Sequence, residues 1–443
     1  MRLGAGRLAA FTLPAVPVAA IGLPVAVHLP PYFSGTLGLD LATVGVIFLA
    51  VRLIDLPLDV VFGQLMDHTR TRIGRFRPWF VSGALIMMAA SAFVFMAPVG
   101  VTALATFAGL MAMYVGFSAF QLAHLAWAAT LTPDYHQRSR VYGWIQTVNV
   151  AGLVAVLAIP ALAAALLATG TPAGGIHAMG WFLIAILPIS VVATLVAVRE
   201  PAHPPVTHRI TLTDLRSLFS NALMRRLLLA DLLAGLAPGI TASMFLFFFE
   251  ARLGFSAAVS SGLLLVYFVA GLAAAPGWMR LAYRIGKHRA AVVAGAVFCV
   301  TSVGVVLLPP GDWAWAAIGM ALAGTPFAAF PFLLRAMVAD VIDAERLQSG
   351  RDRTGLFSSV LVTTTKVAHA LPIGIVYPLL ALIGFRPEPG AVNADAAITG
   401  MTLVFVLAPL AVMLGAMWVM ARWPLGQAEH ADVLAALAAR GGD

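Results

Sequence analysis

Twelve long, almost uninterrupted apolar segments constrain the fold of this 443-residue chain more than any other feature. A membrane-spanning helix needs about 20 apolar residues, whereas strands of a membrane barrel alternate polar and apolar residues over roughly ten positions. These segments are continuously apolar and too long for barrel strands, so we predict an all-α, polytopic membrane protein with twelve transmembrane helices. The segments lie at residues 11–33, 40–65, 78–97, 101–130, 141–168, 180–198, 226–250, 256–278, 290–308, 313–338, 355–383 and 397–421.

The composition excludes the soluble classes of protein. Hydrophobic residues make up 61% of the chain and charged residues 10%, against roughly 25% charged residues in soluble domains. The net charge of +8 does not indicate a nucleic-acid partner, because the basic residues lie between apolar segments and not on a soluble face. The single cysteine, Cys299, excludes an intrachain disulfide, and no Gly-rich phosphate loop ends in Lys-Ser or Lys-Thr. We therefore predict neither an enzyme, nor ATP-driven transport, nor a resident cofactor.

The basic residues are distributed unevenly about the predicted membrane. Of the 27 Lys and Arg residues, two lie within predicted helices (Arg52 and Lys366) and two in loops after odd-numbered helices (Arg252 and Arg386). The others lie at the termini or in loops after even-numbered helices, taken as residues 66–77, 132–140, 199–226, 280–289 and 335–353, of which two overlap the end of a neighbouring segment. Because cytoplasmic loops carry the excess of Lys and Arg, we predict a protein of the cell (bacterial inner) membrane with both termini in the cytoplasm.

A long polar stretch divides the chain nearly in half. Residues 199–226 contain three prolines and separate the sixth apolar segment from the seventh. We predict that this stretch links two bundles of six helices each. The predicted parts are an N-terminal bundle (1–198), a cytoplasmic linker (199–225) and a C-terminal bundle (226–443).

A short basic motif recurs at the same place in the two halves. TRIGRFR (Thr71–Arg77) follows the second apolar segment, and YRIGKHR (Tyr283–Arg289) follows the eighth. Two parallel six-helix repeats are typical of the major facilitator architecture, which we therefore predict, with two pseudo-symmetric bundles. The alternative is a chance similarity between two basic loops, but the matching position in both halves favours a repeat.

Three charged residues, Arg52, Asp55 and Asp59, lie within predicted helix 2. Their spacings of three and four residues place them on one helical face. Each charge near the bilayer centre costs roughly 2.5–3.5 kcal/mol on insertion scales, so such residues face a cavity or a partner. One hypothesis is a plain Arg–Asp pair that holds helix 2 against its neighbours. Since one arginine neutralises only one carboxylate, we favour a site for a cation or a proton.

Pro57 lies between the two carboxylates on the same helix. Proline cannot donate a backbone hydrogen bond to the residue four positions earlier, so it leaves the carbonyl of Leu53 free. Two carboxylates, a free carbonyl and a nearby hydroxyl form an environment of hard oxygen ligands that suits Na⁺. The same two carboxylates could instead share a proton. The sequence therefore leaves Na⁺ coupling and H⁺ coupling as alternatives.

Lys366, one of only two lysines in the chain, lies well inside predicted helix 11 in the stretch TTTKVAHA. An ammonium at this depth can offset a pair of carboxylates that holds no cation. The alternative is a lysine whose long side chain reaches back to the membrane surface. Because the residue lies well inside its segment, we favour the functional interpretation.

Other polar and aromatic residues inside the predicted helices are candidates for a central substrate cavity. Taken singly, each is typical of an interhelical hydrogen bond or, for Trp and Tyr, of anchoring at the membrane interface. Taken together, they predict a cavity for a small organic solute. The polar candidates are His28, Ser118, Gln121, His124, Gln146, Asn149, Asp231, Thr363 and His369, and the aromatic candidates are Tyr114, Trp127 and Trp144.

Four segments, in both halves, carry a resemblance that covers essentially the whole chain. The first extends from LGLDLATVG (Leu37–Gly45) through RLIDLPLD to GQLMDHTRTRIGRFRPW (Gly63–Trp79), and the others are LTPDYHQRSR (Leu131–Arg140), ADVIDAERLQSGRDRTG (Ala339–Gly355) and KVAHALPIGIVYPLLALIGF (Lys366–Phe385). In these motifs the chain resembles the glycoside–pentoside–hexuronide:cation symporter family, the melibiose-permease-like branch of the major facilitator superfamily. The resemblance implies alternating access coupled to Na⁺, Li⁺ or H⁺, carried out by a monomer in the lipid bilayer.

The resemblance also implies roles for individual residues. Asp55 and Asp59 of helix 2, with Ser118 of helix 4, match the cation site of the family, and Lys366 matches its helix 11 lysine. Charged loop residues resemble the cytoplasmic gate of the family, although loop charge also serves topology by itself. The gate candidates are Asp67, Arg70, Arg72, Asp134, Arg138, Arg140, Asp340, Asp343, Arg351 and Arg353.

The chain departs from the family where its galactoside carriers bind sugar. Those carriers have an acid in helix 1, an acid in helix 4 and an arginine in helix 5. The matching residues here are Ala19, Gln121 and Gln146, and the family's Asp-Pro in helix 2 is replaced by Asp59-Val60. The residues for cation coupling are kept, whereas the charged grip on sugar is missing. We expect a cation-coupled symporter of a small sugar- or glycoside-like solute. The alternatives are a proton-coupled carrier or exporter of a lysolipid or another amphiphile, and a non-transporting membrane assembly factor.

Overall fold

The computed structural model describes residues 4–131, 135–167, 172–200, 220–349, 354–388 and 390–440. Twelve helices in this part of the chain are long and apolar enough to cross a membrane, which confirms the prediction of twelve spans. They are α1 (Ala5–Thr36), α2 (Leu41–His68), α3 (Arg77–Phe95), α4 (Ala103–Thr130), α5 (Tyr135–Leu167), α6 (Pro172–Ala197), α7 (Ala222–Ala251), α8 (Ala257–Ile285), α9 (Lys287–Val306), α10 (Trp313–Gly324 and Ala329–Ser349), α11 (Thr354–Leu382) and α12 (Asp395–Ala421). A further helix, α13 (Gln427–Arg440), follows the last span.

Prolines interrupt two of the helices that the sequence predicts as continuous. In α1, wider π-helical turns at Pro24–His28 and Tyr32–Thr36 alternate with α-helical segments. In α10, residues 325–328 form turns that include Pro326. Proline lacks the backbone N–H that the helix ladder needs, so the ladder is remade with a different spacing or stops. Hydropathy alone does not reveal these breaks, because the residues on both sides of them are equally apolar.

The two halves of the chain pack against each other mainly through three pairs of helices. Helix α2 lies along α11, α5 lies along α8, and the Pro24–His28 turn of α1 contacts α7. Helix α7 begins at Ala222, a few residues before the predicted start of the C-terminal bundle. Residues 201–219 of the predicted linker lie outside the described residues, and the division at 199–225 stays a prediction.

The hydrophobic cores show which end of the bundle is closed. We call the end with the α2–α3 turn, the α8–α9 turn at Gly286 and α13 the basic face, and the other end the opposite face. One core runs through the N-terminal half and continues into the α7, α8, α11 and α12 residues near the opposite face. A separate core holds the part of the C-terminal half near the basic face. The halves are therefore joined at the opposite face and have independent cores at the basic face.

Two glycines permit the contact between α2 and α11 near the opposite face. A Cβ atom at Gly45 of α2 would lie 2.8 Å from Cδ of Pro378, and one at Gly374 of α11 would lie 2.6 Å from Cβ of Leu49. Real Cβ atoms do not approach other atoms this closely, so only glycine lets the two backbones meet. This contact also fixes the register between α2 and α11, and so determines which residues of the two helices face each other further toward the basic face.

Candidate functional site

Two carboxylates of α2 form the centre of the candidate site. Asp55 is 1% exposed, and its Oδ1 accepts a hydrogen bond of 2.8 Å from Oγ of Ser118 on α4. Asp59 lies one turn further along the same helix and is partly buried. The i to i+4 spacing puts both groups on the inner face of α2, because that spacing is close to one helical turn. The structure thus brings together Asp55, Asp59 and Ser118, which the sequence proposes as cation ligands.

Lys366 of α11 joins this pair from the other half of the molecule. Its Nζ forms an ion pair with Oδ2 of Asp59 and lies 3.9 Å from Oδ2 of Asp55. The side chains of Lys366 and Asp59 are 22% and 18% exposed, so the contact is largely shielded from solvent. This is a direct electrostatic link between the two halves, made midway along α2 and α11. The lysine therefore occupies the position at which a free cation would meet the carboxylates.

One carboxylate oxygen of the site has no hydrogen-bond partner in the described part of the chain. It is Oδ1 of Asp59, and the atom is buried. A buried charged acceptor without a partner costs free energy, so such a group requires an explanation, for example an ion or a water that binds there. With Ser118 Oγ and the other carboxylate oxygens, it completes a set of hard oxygen donors. A set of this kind binds Na⁺ or takes up a proton.

The guanidinium of Arg52 lies over an aromatic ring of α4, whereas one hypothesis from the sequence was a plain Arg–Asp pair. Its guanidinium carbon lies 4.3 Å from the ring centroid of Tyr114, a stacked cation–π contact against α4. The simple Arg–Asp pair on α2 is therefore replaced by an Asp–Lys pair between helices. Pro57 and Leu53 are both exposed, whereas Asp55 is buried. This placement does not support the idea that a carbonyl freed by Pro57 joins the carboxylates.

Further polar residues lie near Lys366 on α7 and α11. Asp231 of α7 is 8% exposed and accepts a hydrogen bond of 2.9 Å from Oγ1 of Thr365, the neighbour of Lys366 in sequence. Nδ1 of His369 donates to the backbone carbonyl of Thr365 at 2.7 Å. Thr363 is exposed. These contacts give the C-terminal half a buried acid of its own, Asp231, which is held to α11 through Thr365.

The cavity candidates of the N-terminal half divide into two groups. Gln146 and Trp144 of α5 are exposed, and Gln121 of α4 is partly buried. Nδ2 of Asn149 donates to the carbonyl of Ala15 at 3.3 Å, so this residue links α5 to α1. The exposed and partly buried side chains of α4 and α5 are available to a solute, whereas Asn149 has a structural hydrogen bond.

The structure places three predicted cavity residues away from the carboxylate site: His124 and Trp127 are buried within the N-terminal half, and His28 lines a cleft near the opposite face. His124 is 2% exposed, and its Nε2 donates to the carbonyl of Phe11 at 2.8 Å. Trp127 is fully buried and packs edge-on against Phe11 inside the N-terminal half. Phe11 and Phe80 pack against both rings, and the guanidinium carbon of Arg77 lies 5.4 Å from the ring centroid of Trp127, so both rings belong to the interior of the N-terminal half. His28 lies toward the opposite face, where its Nε2 is 3.0 Å from Oγ of Ser261 on α8.

Two gate candidates of the C-terminal half, Asp340 and Asp343, have partners within that half. Nζ of Lys287 lies 2.7 Å from Oδ1 of Asp340, and Nε2 of His430 on α13 lies 3.1 Å from Oδ2 of Asp343. In the N-terminal half, Arg70, Arg72 and Arg140 are exposed. The structure does not describe the remaining gate candidates or, in two cases, their side chains, and the gate stays a prediction. These candidates are Asp67, Asp134, Arg138, Arg351 and Arg353.

The sequence reasoning missed a clamp at the basic face of the N-terminal half. Glu200, after α6, accepts hydrogen bonds from the backbone N–H groups of Arg75 at 2.7 Å, Phe76 at 3.0 Å and Arg77 at 3.3 Å. The guanidinium of Arg77 in turn donates to the carbonyl of Val198 at 2.7 Å. A carboxylate suits the N-terminus of α3, where unpaired N–H groups and the helix dipole favour negative charge. The sequence feature that could have indicated this clamp is the basic motif before Trp79. A count of charged residues explains that motif by membrane topology alone.

Comparison with known proteins adds the family context. The sequence profile of a family described as MFS/sugar transport protein matches residues 10–427. An uncharacterized symporter of Synechocystis sp. is 26% identical over 242 residues, which cover 54% of this chain and 44% of that protein. The uncharacterized symporter YjmB of Bacillus subtilis is 22% identical over 427 residues, 92% of this chain and 90% of that protein. The putative glycoside/cation symporter YagG of Escherichia coli is 39% identical over 54 residues, 12% of each chain.

The aligned part of the chain covers less than half of the length of the Synechocystis relative. It covers nine-tenths of the length of YjmB. The crystal structure of the nucleoside transporter NupG matches with a TM-score of 0.68 at 14% identity, over 94% of this chain and 99% of that chain. A likeness at this identity shows a shared fold.

Proposed function

The chain belongs to the MFS/sugar transport protein family, whose profile matches residues 10–427, and on this premise we propose that it is a secondary active symporter of a small sugar- or glycoside-like solute and a cation. It is a multi-pass membrane transporter of the major facilitator fold, and not an enzyme. These conclusions confirm the family and fold that the sequence motifs predict. The solute class rests on names such as glycoside/cation symporter among the relatives.

One observation carries the proposal of cation coupling. Lys366, from the C-terminal half, reaches across to Asp59 and Asp55 of the N-terminal half at the point where oxygen ligands converge. A tethered ammonium and a free cation cannot both occupy these carboxylates. Binding of Na⁺ or H⁺ to the pair therefore releases the lysine and breaks the link between the halves. This exchange couples the occupancy of the site to the relative movement of the halves.

The exchange also accounts for the return of the empty carrier. With Asp55 and Asp59 ionised, the positive charges of Lys366 and Arg52 balance them, so the empty site has no net charge. A balanced site crosses the low-dielectric interior at lower cost than a bare carboxylate pair. We therefore assign the described conformation, joined at the opposite face, to the carrier after release of its cargo. Net transport needs this step, whereas exchange of solute between loaded states does not.

The solute site and the orientation complete the proposal. A solute between the halves would meet the amides of Gln121 and Gln146, which bind hydroxyl groups as neutral donors and acceptors. The basic face lies in the cytoplasm of a bacterial cell with both termini, following the distribution of Lys and Arg. The protein works as a monomer in the bilayer and uses no cofactor besides the transported cation.

A ligand screen followed by a single substitution tests the proposal. Purified protein is melted with sugars, glycosides and lysolipids, with and without Na⁺ and across pH, and the stabilising solute is then used in uptake by proteoliposomes. We expect Asp59→Asn to fold and to lose cation-stimulated uptake, because the substitution removes the carboxylate that pairs with Lys366. Asp395→Asn, which neutralises an exposed acid at the start of α12, is the matched control and should transport normally. Unchanged cation dependence in Asp59→Asn would contradict the proposal.

The same screen separates the coupling ions and the alternative solutes. Stabilisation that depends on pH and ignores Na⁺ assigns the site to a proton. Stabilisation by lysolipids alone assigns the cavity to an amphiphile, in place of a sugar-like solute.

A further inference from the structure

A narrow cleft at the opposite face is lined by both halves of the molecule. His28, Tyr32 and Thr36 of α1 form one wall, and Glu250 of α7 and Ser261 of α8 form the other. Ile176, Leu246 and Phe247 add apolar surface. The cleft lies apart from the carboxylate site, since its polar residues belong to the ends of helices near the opposite face. It combines a few polar groups with apolar walls, which is typical of sites for small organic molecules.

The hydrogen bonds of Ser261 determine the state of the His28 ring. Oγ of Ser261 donates its one proton to the carbonyl of Ala257 at 2.8 Å. In the 3.0 Å contact with His28, Ser261 is therefore the acceptor, and Nε2 of the imidazole carries the proton. The other nitrogen of the neutral ring, Nδ1, is then a hydrogen-bond acceptor. This Nδ1 is buried and has no hydrogen-bond partner within the described residues.

The free acceptor points to the chemistry of a ligand. Nδ1 of His28 and the carboxylate of Glu250 both accept hydrogen bonds, so a ligand here must bring donors. An imidazole nitrogen is a poor ligand for Na⁺, which prefers oxygen, and this disfavours a second cation site. Hydroxyl groups satisfy both acceptors, and the C–H face of a polyol or sugar packs on the apolar walls. The chemistry of the cleft thus suits a hydroxylated solute better than an ion, and because its free volume is about 50 Å³ in the described conformation, such a solute enters only when the halves separate.

The contact between His28 and Ser261 joins the two halves while the opposite face is closed. When the halves separate there, His28 loses this partner, and its Nε2–H becomes available as well as Nδ1. The ring then offers a donor and an acceptor at once, the pair that vicinal hydroxyl groups bind. We propose that this cleft is an outer capture site for the hydroxylated solute, in which Ser261 takes the place of a solute hydroxyl when the face closes. The inference rests on the proposed function for the class of solute.

A thiol-protection assay tests the capture site directly. Cys299 is the single cysteine, so Cys299→Ala gives a background without thiols, and Thr36→Cys then places one thiol at the rim of the cleft. The protein is reconstituted in nanodiscs and alkylated with N-ethylmaleimide in the presence of methyl α-D-glucopyranoside, methyl β-D-galactopyranoside or xylitol. We expect at least one of these probes to slow alkylation at least threefold. Absence of protection by all three would overturn the proposal.

Variants of His28 separate binding from folding. His28→Phe removes both nitrogens and should raise the half-protecting concentration at least tenfold. His28→Asn keeps an acceptor near the position of Nδ1 and should stay within about threefold of the parent. Glu250→Gln should weaken protection, whereas Asp395→Asn, a like charge change outside the lining of the cleft, should not. Equal protection in the parent and in His28→Phe would overturn the proposal, and melting curves verify that each variant is folded.

The carboxylate site provides the last control. In Asp59→Asn, protection of the Thr36→Cys thiol should persist within about twofold while cation-stimulated uptake is lost. Protection that disappears in Asp59→Asn but survives in His28→Phe would mean that the probe acts from the central site, and would overturn the capture site alone. Loss of protection in His28→Phe together with normal cation coupling in Asp59→Asn would instead contradict the proposed function and leave the cleft as a binding site.

Discussion

Replacement of Lys366 by alanine gives opposite results under two accounts of the carboxylate site. If the ammonium competes with the transported cation, its removal should raise the affinity for Na⁺. If the lysine instead helps to build the cation site, its removal should lower that affinity. The structure favours competition, because Nζ pairs with Asp59 and lies 3.9 Å from Asp55, where a cation would bind.

The size of the effect follows from the burial of the pair. Breaking a fully buried ion pair costs about 3–5 kcal/mol, because the remaining charge is left uncompensated. Here the side chains of Lys366 and Asp59 are 22% and 18% exposed, so solvent screens part of the interaction. In the wild type, Na⁺ must break this ion pair in order to bind, and we take half of the cost for a buried pair, ~2 kcal/mol, as the free energy required. In Lys366→Ala this free energy is no longer needed. At about 1.4 kcal/mol per tenfold change, the affinity should rise between ten- and a hundredfold.

Isothermal titration with Na⁺ and transport in proteoliposomes are the assays. Lys366→Ala should bind Na⁺ more tightly, and its net uptake should fall at least tenfold because the empty carrier can no longer return. Solute counterflow with Na⁺ on both sides should persist, since exchange does not use the empty carrier. Lys287→Ala, which removes the other lysine and its ion pair with Asp340, is the matched control and should keep the affinity of the parent. Weaker Na⁺ binding in Lys366→Ala would refute the competition argument.

Three other substitutions have expected outcomes. Ser118→Ala removes the 2.8 Å hydrogen bond to Asp55, and a hydrogen bond to a charged group contributes about 1.5–3 kcal/mol. The affinity for the cation, measured by titration, should therefore fall at least tenfold while the protein stays folded. Gly45→Leu places a side chain where a Cβ atom alone would lie 2.8 Å from Cδ of Pro378, so it should force α2 and α11 apart. The distance between spin labels on loops of the two halves at the opposite face, measured by double electron–electron resonance, should grow by several ångströms. An unchanged distance would show that the α2–α11 contact does not hold this face closed. Glu200→Gln weakens the charged cap of α3, and the melting temperature should fall by a few degrees while cation affinity stays within about twofold.

The sequence was sufficient to locate the spans and to place two carboxylates on one face of α2. Continuous hydropathy locates all twelve helices, and the i to i+4 rule places Asp55 and Asp59 on one face. The partner of these carboxylates was less accessible. Periodicity relates residues within a helix, so it offered Arg52, and the depth of Lys366 in its segment offered the lysine as well, but neither pattern shows which of the two forms the ion pair. That register depends on how closely α2 and α11 approach, and Gly45 sets the approach through a contact with residues far away in sequence.

The same limitation explains the misplaced cavity residues. A polar residue on a membrane helix faces either a cavity or another helix, and its own segment does not distinguish the two. His124 and Trp127 look like cavity residues, but the ring of Phe11 packs against both of them, and its backbone carbonyl accepts the hydrogen bond of His124. The position of Phe11 follows from the packing of α1 against α4 and α6, which the hydropathy pattern does not specify.

The most direct test of the account measures both fluxes in one preparation. Proteoliposomes with wild-type protein or Asp59→Asn are loaded with the solute found in the screen, and labelled solute and labelled Na⁺, or proton movement, are followed together. The account predicts that in the wild type the cation enters with the solute in a fixed ratio, and that Asp59→Asn abolishes the linked cation flux. Solute uptake that still follows the cation gradient in Asp59→Asn, with the same ratio of the two fluxes, would contradict it.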